Sequence, residues 1–126
     1  MNEKERASGL ASTPGYRYAD RVGDRLFLAG QVPHDGAGQL IGKGDVKVQA
    51  RRCLRNLHAV VDANGFSPAD IHQLTIYVAG DRADLSSAWQ EIKASFDSNV
   101  PPATLLGVTI LGSPDQLVEI DARVER

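Results

Sequence analysis

The C-terminal quarter of the chain constrains the fold most strongly, because it holds two apolar runs that turn residues separate. The runs cover residues 103–111 and 117–124, and the segment 112–115, Gly-Ser-Pro-Asp, stands between them. Residues of these four types favour a reversal of the backbone. The pattern therefore predicts two strands joined by a short connection.

The second of these runs alternates strictly between apolar and charged residues. The apolar positions are Val118, Ile120, Ala122 and Val124, and the charged positions are Glu119, Asp121 and Arg123. Successive side chains of a strand point to opposite faces of its sheet. One face of this strand is thus predicted to meet a core and the other to carry charge, although a simple half-solvated strand has the same pattern.

The composition bounds the class of protein. A chain of 126 residues that is 42% hydrophobic forms one domain with a core of its own. Its 14 basic and 16 acidic residues give a net charge of −2, which argues against nucleic acid as a partner. The single cysteine excludes an intramolecular disulfide, and no apolar run approaches a membrane span of about 18 residues or a signal peptide. We expect a cytoplasmic protein with no membrane partner.

The rest of the chain predicts a layered α+β domain. Residues 1–15 are polar and small, so we expect a flexible lead, followed by one domain over 16–126. Apolar periodicity and turn residues predict strands at 16–22, 25–32 and 71–79 and helices at 45–64 and 84–96. The order β-β-α-β-α-β-β predicts two helices on one face of a mixed sheet. The other face is too apolar to be wholly solvated, which favours a homo-oligomer.

No standard catalytic or cofactor motif is present. The histidines at 34, 58 and 72 do not have the spacing of metal ligands on a helix, so we predict no metal site. The chain has neither a phosphate-binding glycine loop nor a Gly-x-Ser-x-Gly elbow, and we predict no cofactor. Cys53 belongs to the apolar stripe of the first predicted helix.

Four residues remain as weaker candidates for a site: Tyr16, Gly30, Gln31 and Glu119. A glycine inside a strand marks either a close approach of the backbone to a ligand or another chain, or a bulge. Glu119 is able to act as a general acid or base if it is partly buried, and has no such role if it is fully solvated.

Several segments together resemble the Rid family, the YjgF type that is also described as endoribonuclease L-PSP-like. The resemblance covers residues 14–126 and rests on these features: Tyr16 seven residues before Gly23, AGQVP at 29–33, the DVxxQAxxxLxNL helix from Asp45, PPA at 101–103 and VEIDA at 118–122. It implies a chorismate-mutase-like subunit in a homotrimer, with small-molecule clefts between neighbouring subunits. Members of its deaminase branch hydrolyse enamine and imine intermediates to keto acids and ammonia.

The resemblance also implies roles for individual residues. Glu119 would position or activate water and Tyr16 would contact the substrate, while Gly30 and Gln31 would lie along the ligand. The carboxylate-binding arginine of the family corresponds to Thr104, which offers one hydroxyl in place of a bidentate guanidinium. Arg17 and Arg123 are the candidate substitutes.

Two further positions depart from the family pattern, since Ala29 stands where the family has serine and Leu106 where it has cysteine.

Two candidate functions follow from the resemblance. The first is hydrolysis of an enamine or imine, with a substrate outside the usual imino acids because of Thr104. The alternative is a non-catalytic module that binds a metabolite or a protein partner. Ribonuclease activity is disfavoured by the negative net charge, and chorismate mutase activity shares only the fold.

Overall fold

The computed structural model describes residues 1–126 and contains three helices and five strands. In chain order the elements are α1 Glu3–Ala7, β1 Ala19–Val22, β2 Arg25–Leu28, α2 Val46–Ala63, β3 Ile71–Val78, α3 Arg82–Ser95, β4 Ala103–Gly107 and β5 Val118–Glu125. A single 3-10 turn, Pro68–Asp70, leads into β3. Apart from α1 and this turn, the order is the predicted β-β-α-β-α-β-β.

The strands form one sheet in the order β1-β2-β5-β3-β4. Neighbouring strands are antiparallel except β3 and β4, which are parallel, so the predicted mixed sheet is confirmed. The two C-terminal strands are not neighbours, because β3 lies between β4 and β5. The segment 108–117 that connects them therefore has to pass β3, and it pairs with the end of that strand through Val108 and Leu117.

One face of the sheet packs against α2 and α3 and forms the core. The four apolar residues of β5 are buried, as the alternation predicted, and so are Leu74, Ile76 and Val78 of β3. The predicted stripe of α2 is buried along its whole length: Val46, Ala50, Cys53, Leu54, Leu57, Val60 and Val61. We call the opposite, helix-free side of the sheet the outer face.

The ends of α2 follow from local sequence. Asp45 caps its start, where the side chain accepts a hydrogen bond from the Val48 amide at 3.1 Å. Its last turn gives way to Gly65 with φ +83°, a left-handed conformation that favours glycine. The α3 helix begins two residues earlier than predicted, because Asp81 and Asp84 form a reciprocal capping box.

The expectation of an unstructured N-terminal lead is wrong for residues 3–7. Asn2 and Glu5 form a capping box that starts α1, with hydrogen bonds of 2.7 and 2.8 Å. The second carboxylate oxygen of Glu5 accepts a bond from Asn64 at 3.0 Å, and Leu10 is buried. Contacts with the end of α2 thus order a segment whose composition alone predicts none.

The first two strands are shorter than predicted, because the β2 ladder is interrupted beyond Leu28. Leu26 pairs with Val124, whereas Gln31 pairs with Ile120 in an isolated bridge. Leu26 and Gln31 are five positions apart, whereas their partners Val124 and Ile120 are four positions apart. The first segment therefore contains one extra residue, as in a β-bulge. Likewise β4 ends at Gly107, and the predicted strand residues 108–111 belong to the connection.

Candidate functional site

The register of the sheet places Glu119 on the outer face, near the start of the central strand β5. Tyr77 of β3 lies opposite Glu119 of β5, and Leu106 of β4 lies opposite Tyr77. Residues paired in this way point to the same face of a sheet. Glu119 therefore has one half-buried aromatic neighbour, Tyr77, and the exposed Leu106 lies beyond it on β4.

Gly30 lies directly against the Glu119 side chain. A Cβ atom at position 30 would overlap the Glu119 carboxylate and would lie 3.0 Å from its Cδ and 3.1 Å from its Cγ. Real Cβ atoms essentially never come closer than 3.0 Å, so only glycine fits without a shift of the glutamate. The structure supports the bulge interpretation of Gly30. The close approach is to the Glu119 side chain of the same chain, and an approach to a ligand or another chain stays a prediction.

Gln116 holds the Glu119 carboxylate from the other side. Its Nε2 donates to Glu119 Oε1 at 3.2 Å and to the Val118 carbonyl at 3.0 Å, while its Oε1 accepts from the Ser113 amide at 3.2 Å. Gln116 is only 4% exposed. Glu119 Oε2 has no hydrogen-bond partner, so one carboxylate oxygen is held and the other is free to bind a ligand or a water.

Sequence reasoning missed Gln116. A polar residue after Gly-Ser-Pro-Asp has the composition of a loop, and its burial results from the way the connection folds over the end of β3. The only available signal was its position three residues before Glu119, which is not specific.

Burial shifts the pKa of two ionisable groups near Glu119, Cys53 and Asp121. Burial, together with the negative charge of Glu119, raises the pKa of the Cys53 thiol well above its usual value. This thiol also donates to the Val118 carbonyl at 3.5 Å, so it is an inert core group. Partial burial raises the pKa of Asp121, although the Ala122 amide and the Arg123 guanidinium oppose that rise.

Gln31 pairs with Ile120 through both backbone groups, at 2.7 and 3.1 Å. Its side chain is 2% exposed and donates to the Ala29 carbonyl at 2.8 Å. The side chain thus stabilises the segment after β2 that contains Gly30. A direct ligand-binding role for Gln31 stays a prediction, and its buried side chain does not favour that role.

Tyr16 and Arg17 lie apart from Glu119. Both line a cavity of about 380 Å³ beside the N-terminal segment, Glu119 is not among the residues that line it, and no hydrogen bond joins either residue to Glu119. Tyr16 is 48% exposed, and Arg17 pairs with Asp20 at 3.3 Å in a solvent-exposed contact.

Thr104 and Arg123 occupy other parts of the outer face. Thr104 lies opposite Thr75, which lies opposite Asp121, so two strand spacings of about 4.8 Å separate Thr104 from β5. Arg123 lines a groove of about 740 Å³ together with Phe27, Gln73, Pro102 and Asp121. One chain therefore brings Gly30, Gln31 and Glu119 together but keeps Tyr16, Arg17 and Thr104 separate from them.

Comparison with known proteins places the chain in a family. Residues 7–126 match the family model described as Endoribonuclease L-PSP, and the structure superposes on the YjgF gene product of E. coli with a TM-score of 0.82. The chain belongs to the Rid family. That E. coli protein shares 28% identity over 94% of each chain, which confirms the predicted chorismate-mutase-like fold for this Rid protein.

Two curated relatives extend the comparison. A RutC family protein of Pyrococcus horikoshii is 35% identical over 107 residues, covering 85% of this chain and 83% of its own. A protein of Salmonella typhimurium named 2-iminobutanoate/2-iminopropanoate deaminase is 28% identical over 103 residues, covering 80% and 79%. No helix of this Rid protein is long and apolar enough to cross a membrane.

Proposed function

We propose that this Rid-family protein hydrolyses an enamine or imine in a small-molecule cleft between subunits of a homotrimer. The observation that carries the proposal is the arrangement of Glu119 against Gly30. One carboxylate oxygen is held by Gln116 at 3.2 Å, the other has no hydrogen-bond partner, and the absence of a side chain at Gly30 makes room for the carboxylate. The name of the Salmonella typhimurium relative supports the reaction class.

The proposed chemistry needs one group that moves a proton in both directions. Glu119 Oε2 accepts a proton from water as the water oxygen adds to the carbon of a protonated imine, which gives a carbinolamine. The carboxyl then returns this proton to the nitrogen and the C–N bond breaks. As the carbonyl forms, Glu119 accepts the hydroxyl proton and passes it to the departing ammonia, which leaves as ammonium. The balance is protonated imine plus water to carbonyl compound plus ammonium, with Glu119 unchanged. A positioned base of this kind contributes roughly 10²–10⁴-fold.

The cleft is proposed to require a second subunit. Tyr16 makes no hydrogen bond with Glu119 of its own chain and lines the cavity beside the N-terminal segment, so we assign it to the cleft that a neighbour's Glu119 forms. The outer face also carries apolar groups that a partner would cover, including Phe27, which is 52% exposed, and Leu106, which is 41% exposed. Sedimentation as a trimer is the expected result, and sedimentation as a monomer contradicts the shared cleft.

Thr104 directs the choice of substrate. A hydroxyl at this position forms one hydrogen bond to a carboxylate where an arginine forms two charge-assisted bonds. The same residue favours the alternative function, a non-catalytic module that binds a metabolite or a protein partner on the same fold.

The test is a coupled assay in which an amino acid oxidase generates imino acids and keto acid release is timed. Wild-type protein, Thr104→Arg and no protein are compared, with Ser86→Arg on the exposed side of α3 as the matched control. Acceleration by wild type supports the hydrolase. Acceleration by Thr104→Arg alone indicates an intact cleft selective for other imines. If neither protein accelerates the reaction, the binding module is favoured.

A further inference from the structure

A second cavity, of about 380 Å³, lies between the N-terminal segment and the start of the domain. It is lined by Met1, Arg6, Ser12, Thr13, Gly15, Tyr16 and Arg17. The side chains around it include two guanidinium groups and three hydroxyl groups, and none is a carboxylate. We call it the N-terminal cavity.

The guanidinium charges of the two arginines in this cavity are largely unpaired. Arg6 makes no side-chain hydrogen bond and no ion pair, and Arg17 has only Asp20, at 3.3 Å between side chains that are 72% and 52% exposed. Such exposed pairs are weak. Another acid of this segment, Glu5, is buried and already bonds Asn2 and Asn64 through its two oxygens. The cavity is therefore positively charged.

The cavity is built by ordered contacts, although it lies near the chain terminus. The capping box of α1 fixes the helix that carries Arg6, and the buried Leu10 anchors the segment that follows. Tyr18 donates its hydroxyl to the Ala11 carbonyl at 2.7 Å, and the Thr13 hydroxyl bonds the Tyr16 carbonyl. These contacts hold Arg6, Tyr16 and Arg17 around one space.

We infer that Arg6 and Arg17 form an anion subsite that binds the carboxylate of the ligand beside Tyr16. The inference rests on the proposed function, because that function assigns Tyr16 to the substrate cleft. A guanidinium recognises a carboxylate through two parallel hydrogen bonds, which threonine at position 104 does not offer. Arg6 thus supplies, from α1, a charge that the outer face lacks at Thr104.

The test measures binding and does not depend on turnover. 2-Oxobutanoate is titrated calorimetrically into the full-length protein at low ionic strength, and inorganic phosphate is titrated in parallel. Arg6→Gln and Arg17→Gln are each expected to raise the Kd for 2-oxobutanoate at least tenfold, because each removes charge-assisted hydrogen bonds. Arg6→Lys keeps the charge but loses the bidentate geometry, so its Kd should be intermediate.

Arg82→Gln is the matched control, because Arg82 is also exposed and unpaired but lies at the start of α3. Its Kd should equal that of wild type. An unchanged Kd in the Arg6→Gln/Arg17→Gln double variant overturns the subsite, as does wild type that binds phosphate but not 2-oxobutanoate. Loss of 2-oxobutanoate binding in that variant, together with no imine hydrolysis by the wild-type protein, keeps the subsite and rejects the hydrolase. Imine hydrolysis by the wild-type protein, together with unchanged 2-oxobutanoate binding in the double variant, keeps the hydrolase and rejects the subsite.

Discussion

Replacement of Gly30 by alanine separates the positioning of Glu119 from the stability of the fold. The added Cβ would lie 3.0 Å from Glu119 Cδ and 3.1 Å from Cγ. Ordinary carbon contacts lie at about 3.5–4.0 Å, so the glutamate has to retreat by roughly 0.5–1 Å. The Gln116 to Glu119 hydrogen bond, already 3.2 Å, is lost in that movement.

The cost in stability should be small. Steric rearrangement and the lost bond cost about 1–3 kcal/mol, at the low end here because the displaced group is the end of a flexible side chain. The φ angle of Gly30 is not positive, so alanine recovers about 0.4–1 kcal/mol from the unfolded state. The net loss is about 0.5 kcal/mol, which corresponds to a decrease in Tm of roughly 2 °C.

The cost in activity should be large, because a misplacement of about 1 Å lowers catalysis by on the order of 10²-fold. Keto acid release and urea unfolding are measured on the same preparations. Gly112→Ala is the matched control, because Gly112 also has no positive φ and no atom within 4 Å of an added Cβ. Activity of Gly30→Ala within about threefold of Gly112→Ala refutes the assignment of the Gly30 contact to catalysis.

Three further predictions concern stability. Gln49→Leu should lower the free energy of unfolding by roughly 3 kcal/mol, because the partly buried Leu117 amide and the Gly42 and Asp115 carbonyl groups lose their partner. Urea denaturation measures this loss, and a loss below about 1 kcal/mol contradicts the prediction. Burial lowers the pKa of His58, so the unfolded chain binds its proton first and stability should fall as pH drops below about 6.5. His58→Gln should reduce the dependence of the urea midpoint on pH below about 6.5. An unchanged pH dependence contradicts the assignment of this effect to His58. Partial burial raises the pKa of Asp121, so charging it opposes folding above about pH 4; Asp121→Asn should raise the Tm at neutral pH, and a lower Tm means that Arg123 outweighs burial.

The sequence predicts well those features that depend on residues close together in the chain. The alternation of β5 predicted its buried and outer faces because a strand repeats every two residues. The boundaries of α2 followed from Asp45 and Asn64-Gly65, whose backbone roles are local.

Long-range contacts explain what the sequence did not predict. The α1 helix has only five residues and is ordered by Glu5 with Asn64, which no local pattern reveals. The partner of Gly30 is Glu119, far along the chain, and the buried position of Gln116 depends on the path of the connection past β3. The residue types of the site were thus available from the sequence, but their mutual geometry required the fold.

The most direct test of the central claim compares the wild-type protein with Glu119→Gln in the hydrolysis of an oxidase-generated imine. Glutamine keeps the size of the side chain and its contact with Gln116 but cannot accept a proton from water. The account predicts that keto acid release falls by about 10²-fold or more while the urea midpoint stays close to that of wild type. Release that stays within about threefold of wild type contradicts the proton-transfer role of Glu119 and leaves the binding module as the function.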